Sequence, residues 1–347
     1  MGGLGFALCR TGSATTPGVR PKSRILPTRT AESAKARVKM GSETDGLPGC
    51  ARRERKLAHP GFWVAVLLVL VGLGVQIVLA IPLGLIDVAL EQGLHKPRLD
   101  LARQPLVVGC INLAAFGAAI ALGLFLNRLA FRKAFPLGRI TAAQVAATVL
   151  LLLGAGVALS QVDNVFRALL PPPRWLLNFL QDVFFRENQL LSRVFLLVLV
   201  APLTEELLFR GIILRGLLSR FRPGAAIVLT AFLFAAVHLN PWQFFSAPLL
   251  GCAFGWFYLR TGSVALCVLA HAFTNASTIV FPALPWHSPG MTADDLSRVE
   301  FQPWWLDLSG LAMLLAGIWA FRKATPGTHT DDLPAPPVIT PSGGIAP

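Results

Sequence analysis

Charge is what this sequence has least of. Asp, Glu, Lys and Arg make up 14% of its 347 residues, against about 25% in a soluble globular protein, and 54% of the chain is hydrophobic. A water-soluble domain with an ordinary polar surface is thereby excluded. Acids are scarcer still, 18 against 31 Lys and Arg, and tyrosine occurs once. The five cysteines form no CxxC pair, so no disulfide framework can be read. Cys110, Cys252 and Cys267 fall in apolar runs, where the thiol behaves as a small hydrophobe. No internal repeat is visible, which counts against the paired halves common in transporters.

What is present is a series of long apolar runs separated by short basic stretches. They read as spans near 62–86, 105–126, 141–160, 190–214, 225–240, 246–260, 263–281 and 304–321. Most approach the ~20 residues that a ~30 Å hydrocarbon layer requires. The runs at 225–240 and 246–260 are short, as half-spans or tilted helices would be. Lipid offers backbone groups no hydrogen bonds, so helices are expected throughout. The fold class is therefore all-α, a polytopic transmembrane bundle of about eight helices.

The net charge of +13 suggests a lipid surface rather than nucleic acid. Twelve of the Lys and Arg residues precede Phe62, and most others flank spans: Arg128, Arg132, Lys133, Arg139, Arg215, Arg220, Arg222, Arg260, Arg322 and Lys323. By the positive-inside rule these ends face the cytosol, with both termini inside and anionic head groups as partners. Residues 1–58 read as a disordered basic cytosolic arm, 59–323 as the membrane domain, and 324–347 as a disordered Pro-rich tail. An interfacial amphipathic helix is expected around Trp175 to Phe185. Ala-, Leu- and Arg-rich usage fits a GC-rich bacterial genome, and so a multi-pass protein of the cytoplasmic membrane.

Ionisable groups inside a span are costly and point to function. Here they cluster late: Glu205, Glu206 and Arg210 in the fourth span, His238 ending the fifth, His271 and Asn275 in the seventh. Glu206 and Arg210 are four apart and can pair. Glu205 is turned by about 100° from Glu206 and lacks that partner. His271 and Asn275 share a face. Singly, a Glu–Arg pair is often only a bundle lock and a lone histidine only a packing residue. Together they suit amide hydrolysis. A desolvated carboxylate beside a histidine can activate water, and a histidine with an amide can stabilise an oxyanion. Glu205, His238 and His271 could equally hold a catalytic zinc with one open position. Both versions stay open on this reading. HExxH, GxGD and a GxSx serine motif with a partner histidine are all missing.

Three motifs now stand in order: EExxxR at Glu205–Arg210, FxxxH at Phe234–His238 and HxxxN at His271–Asn275. Together they resemble the CPBP family, the type II CAAX prenyl endopeptidases and bacteriocin-processing (Abi) proteins, over about 190–281. The resemblance implies intramembrane endoproteolysis of a membrane-bound or lipid-modified substrate. It implies Glu205 and His238 as the water-activating pair, His271 and Asn275 as the oxyanion pair, and Glu206 with Arg210 as a structural ion pair. It allows a metalloprotease or a metal-free, glutamate-dependent enzyme, and it does not fix prenylation of the substrate. Two rival readings are a transporter or channel with a buried Glu/His relay, and a non-catalytic membrane scaffold or immunity protein.

Overall fold

A computed structural model of the chain describes residues 60–93, 95, 99–181, 189–285, 288–291 and 298–327. The readings of 1–58 as an arm, and of all but the first residues of 324–347 as a tail, fall outside these residues. Every described element is helical. Eight principal helices follow one another: α1 Phe62–Gln92, α2 Pro105–Leu126, α3 Ala142–Leu169, α4 over 190–218, α5 Pro223–Ala236, α6 Ser246–Thr261, α7 Val264–Ala283 and α8 Trp304–Ala324.

Local chemistry sets their ends. Pro105 and Pro223 open α2 and α5, where a missing N–H costs nothing. Thr141 and Gln144 form a reciprocal capping box on α3. Gly262, at φ +63°, ends α6 in the left-handed conformation and lets Ser263 cap α7 one residue later.

The helices alternate in direction. At one end Pro60 packs on Gly216, the Val264 amide donates to Pro136 O (3.1 Å), and Gln144 reaches Ala324 O (3.4 Å). There too, Arg215 donates to the Lys133 carbonyl and Arg260 to the Thr325 carbonyl. At the other end Gln189 donates to Gln104 (2.6 Å), Asn164 to Gly290 O (2.8 Å) and Trp242 to Leu170 O (2.7 Å). Arg128, Arg132, Lys133, Arg139, Arg215, Arg220, Arg222, Arg260, Arg322 and Lys323 lie at the first end, and Arg103, Arg167, Arg174, Arg193 and Arg298 at the other.

Five helices, α1, α2, α3, α7 and α8, are long and apolar enough to cross a membrane. The expected count of eight is not confirmed, because α5 and α6 have 14 and 16 residues and α4 is not regular α-helix. At 1.5 Å per residue, the 31 residues of α1 run about 46 Å, so this helix tilts or protrudes. Its last turns hold Asp87, buried and accepting from the Leu99 and Leu101 amides (3.2 and 2.8 Å), so this acid ties down a loop. A helix is present at Arg174–Leu180, where an interfacial one is expected, with residues 182–188 beyond the description.

Burial is inverted relative to a soluble protein. Trp63, Phe125 and Trp319 stand exposed on the outer helices, and so do Leu191 and Leu199 in the first half of α4, while its second half is enclosed, with Phe209, Arg210, Ile212 and Ile213 wholly buried. Small residues let helices approach closely. Between α3 and α8, Gly154 faces Leu314, Gly310 faces Val157 and Gly317 faces Leu151, each so near that a Cβ would clash.

Candidate active site

The site grows from the irregularity of α4. Pro202 lies within this helix and has no N–H to give. The Ala201 amide bonds the carbonyl five residues back, at Leu196. Backbone pairing widens in this i→i+5 manner over Phe195–Val200, returns to α over Ala201–Glu206, and widens again over Leu207–Leu214. Such widening commonly marks functional positions. The short α segment between the two carries Glu205 and Glu206.

Leu197 O is the carbonyl that Pro202 leaves without a partner, since the Ala201 amide is committed to Leu196. The side chain of Asn275 supplies the missing donor, Nδ2 lying 2.8 Å from Leu197 O. One amide hydrogen of Asn275 is therefore spent on holding α7 against the widened turn of α4, and the other stays available.

Glu206 is completely buried, and a single oxygen carries its bonds. Oε1 accepts from Arg210 Nη1 at 2.7 Å and from His271 Nδ1 at 2.8 Å. Arg210, also at zero exposure, donates through Nη2 to Gly251 O at 3.2 Å. Its guanidinium lies between two rings, 4.8 Å from the centroid of Phe234 and 5.3 Å from that of Phe254. A desolvated cation–π contact contributes up to about 2 kcal/mol. A charge that bare hydrocarbon would not tolerate is thus matched by a carboxylate, a carbonyl and two aromatic faces from α4, α5 and α6.

The same two rings hold the histidines. Phe254 stacks on His271, with centroids 5.3 Å apart and planes at 26°. Phe234 meets His271 and His238 edge to face, at 5.7 and 5.1 Å. His238 follows the end of α5, in the turn after Ala236, and its Nδ1 lies 2.9 Å from Phe234 O. A carbonyl oxygen only accepts, so Nδ1 of His238 carries a proton and Nε2 faces outward. His271 is fixed in the same sense by the Glu206 carboxylate.

Glu205 is different. Its side chain is 7% exposed, and Oε2 is buried with no protein partner among the described residues. Oε2 of Glu206 is likewise buried without a partner among the described residues, so the two acids differ in that Glu206 is tied through Oε1 to Arg210 and His271 while Glu205 has no such tie. Among the described residues, no three His, Cys, Asp or Glu side chains lie close enough to hold a metal.

Sequence reasoning found the six polar residues and paired Glu206 with Arg210, but missed their other partners. Phe254, Gly251 and Leu197 carry no signal in a single sequence. Phe234 had one, since it stands four residues before His238 on the same face. Three cavities of about 400–580 Å³ are lined from α3, α5, α6, α7 and α8, and none is lined by Glu205, His238 or His271.

Helices crossing a membrane around a buried carboxylate and histidine cluster define a polytopic membrane protein with an interior polar site. Residues 187–277 match the family model of the Rce1-like type II CAAX prenyl endopeptidases, and all six motif residues lie within that segment. The resemblance drawn from the three motifs is thus upheld, and it carries hydrolase chemistry in general. No curated protein and no solved structure matches the chain.

Proposed function

We infer that the protein is an intramembrane endopeptidase that hydrolyses a peptide bond of a lipid-modified, membrane-bound protein. The observation that carries this reading is Glu205, a desolvated carboxylate with no protein partner among the described residues, next in sequence to Glu206, whose Oε1 is held by Arg210 and His271. Leaving a charge so placed costs several kcal/mol, and catalytic sites are where such costs are tolerated. The family match at 187–277 supports the reaction class. A prenylated substrate is proposed on that family's chemistry.

In this mechanism Glu205 takes a proton from water while Nε2 of His238 accepts a hydrogen bond from the O–H that remains. The hydroxide attacks the carbonyl carbon and the carbonyl π pair moves to oxygen. The oxyanion forms beside His271 and receives the free amide hydrogen of Asn275, while the Nδ1 side of His271 stays on Glu206. Glu205 then returns its proton to the amine nitrogen, and the C–N bond breaks. Glu206 and Arg210 touch no reacting atom. They orient His271 and hold α4 to α6. No step runs through a metal. Both termini and the basic end are placed in the cytosol of a bacterial cytoplasmic membrane.

The test is cleavage of a prenylated peptide panel by the purified full chain in detergent, wild type against Glu205→Ala. Cleavage lost in a variant that melts like wild type supports the reading, and full activity in that variant removes it.

A further inference from the structure

The segment between α2 and α3 has a charge imbalance that the rest of the molecule does not answer. No Asp or Glu occurs between Asp100 and Asp163. Within this stretch Arg128, Arg132, Lys133 and Arg139 are all exposed, and none of their side chains makes an ion pair or hydrogen bond among the described residues. Two large apolar side chains stand out beside them, Phe131 at 62% and Leu137 at 68% exposure.

The segment is nevertheless held firmly. The Leu129 amide closes onto Leu124 O (3.0 Å), and Asn127 Nδ2 onto Gly123 O (2.7 Å). Arg128 takes the left-handed position at φ +49°, where glycine is the usual residue. A long cation there accepts a steric cost that glycine would avoid. Further on, Gly138, at φ +32°, lies so close to Ser263 that a Cβ would meet it at 2.9 Å. Phe131 packs edge to face on buried Phe135, with centroids 4.7 Å apart, and the Phe135 ring sits on Gly211, next to Arg210.

We propose that residues 127–139 form a docking surface for anionic lipid head groups, with Phe131 and Leu137 entering the acyl boundary and the four cations meeting phosphates. Charge complementarity selects the partner. Its position at the ends of two membrane-length helices puts it at the level of the head groups, and exposed apolar side chains among cations suit a lipid interface better than a polyanion in water. Through Phe135 and Gly211 the bound lipid bears on the helix that carries Glu205 and Glu206. This surface does not depend on the protease reading.

The experiment uses the purified full chain and native mass spectrometry during titration with phosphatidylglycerol or phosphatidylcholine of the same acyl chains. Wild type retains phosphatidylglycerol preferentially. Each basic residue near an anionic surface strengthens association about fivefold, so Arg132→Gln/Lys133→Gln weakens retention roughly 25-fold. Arg322→Gln/Lys323→Gln, with the same loss of charge at the same end, keeps most of the preference. Thermal melting of wild type, which needs no variant, rises with phosphatidylglycerol and not with phosphatidylcholine. Equal retention of the two lipids overturns the proposal, as does an equal loss in both double variants. Displacement by excess inorganic phosphate would assign a free-anion site and also overturn it.

Discussion

His271 and Glu206 stand 65 positions apart in the chain and 2.8 Å apart in space, with Nδ1 of the imidazole on Oε1 of the carboxylate. That oxygen also accepts from Arg210. Glu206 is therefore a junction between the fold and the site, serving a buried arginine on one side and the orientation of a histidine on the other.

Removing one partner of this junction leaves a full charge in an apolar interior. Glu206→Ala or Arg210→Met is expected to destabilise the protein by about 3–5 kcal/mol. The double variant Glu206→Gln/Arg210→Met restores part of that stability, because no charge is left unmatched. Thermal melting in one detergent across the set decides it, and a double variant as unstable as the sum of the singles would contradict the pairing.

Glu205 should behave in the opposite way. Glu205→Gln keeps the volume and removes an unpartnered charge, so its melting temperature equals or exceeds that of wild type. Cleavage should fall by at least about 10²–10⁴-fold, the contribution of a positioned general base. A loss of folding with retained specific activity would reassign this residue to structure.

Asn275→Ala withdraws the donor that serves Leu197 O, and a buried acceptor left unpaired costs about 1–3 kcal/mol. Pro202→Ala in the same chain supplies a backbone N–H and makes the loss smaller. Full additivity of the two substitutions would show that they do not share this carbonyl.

On the metal-free reading Glu205 and His238 form the base pair, and a chelator is expected to leave cleavage unchanged. Inhibition by chelator, reversed by zinc, would replace this mechanism with a metal-dependent one.

Where the sequence spoke clearly, the physics was local. The Glu206–Arg210 pair was legible because two side chains four apart on a helix must meet. The end of α2 at Leu126 was legible because a basic turn follows an apolar run. The junction at His271 was not, since nothing in a single sequence links α7 to α4. Asn275 was read only as a partner of His271, and its bond to Leu197 became visible once Pro202 was placed inside the widened helix. The span over 190–214 looked regular because its apolar residues run along its whole length, and composition does not report i→i+5 pairing. His238 was assigned to a helix end at 240, but α5 stops at Ala236 and leaves this residue in a turn.

The two widened turns of α4 also make the site sensitive to chain length. Each holds more residues per turn than an α-helix, so faces before and after it are offset in register. Shortening Phe195–Val200 by one residue would let the helix relax toward regular α geometry and swing Glu205 about 100° around the axis. Every residue of the three motifs would survive in such a protein, yet Glu205 would lie on a different face of the helix. The active site of this chain is in that sense encoded as a count as well as a composition.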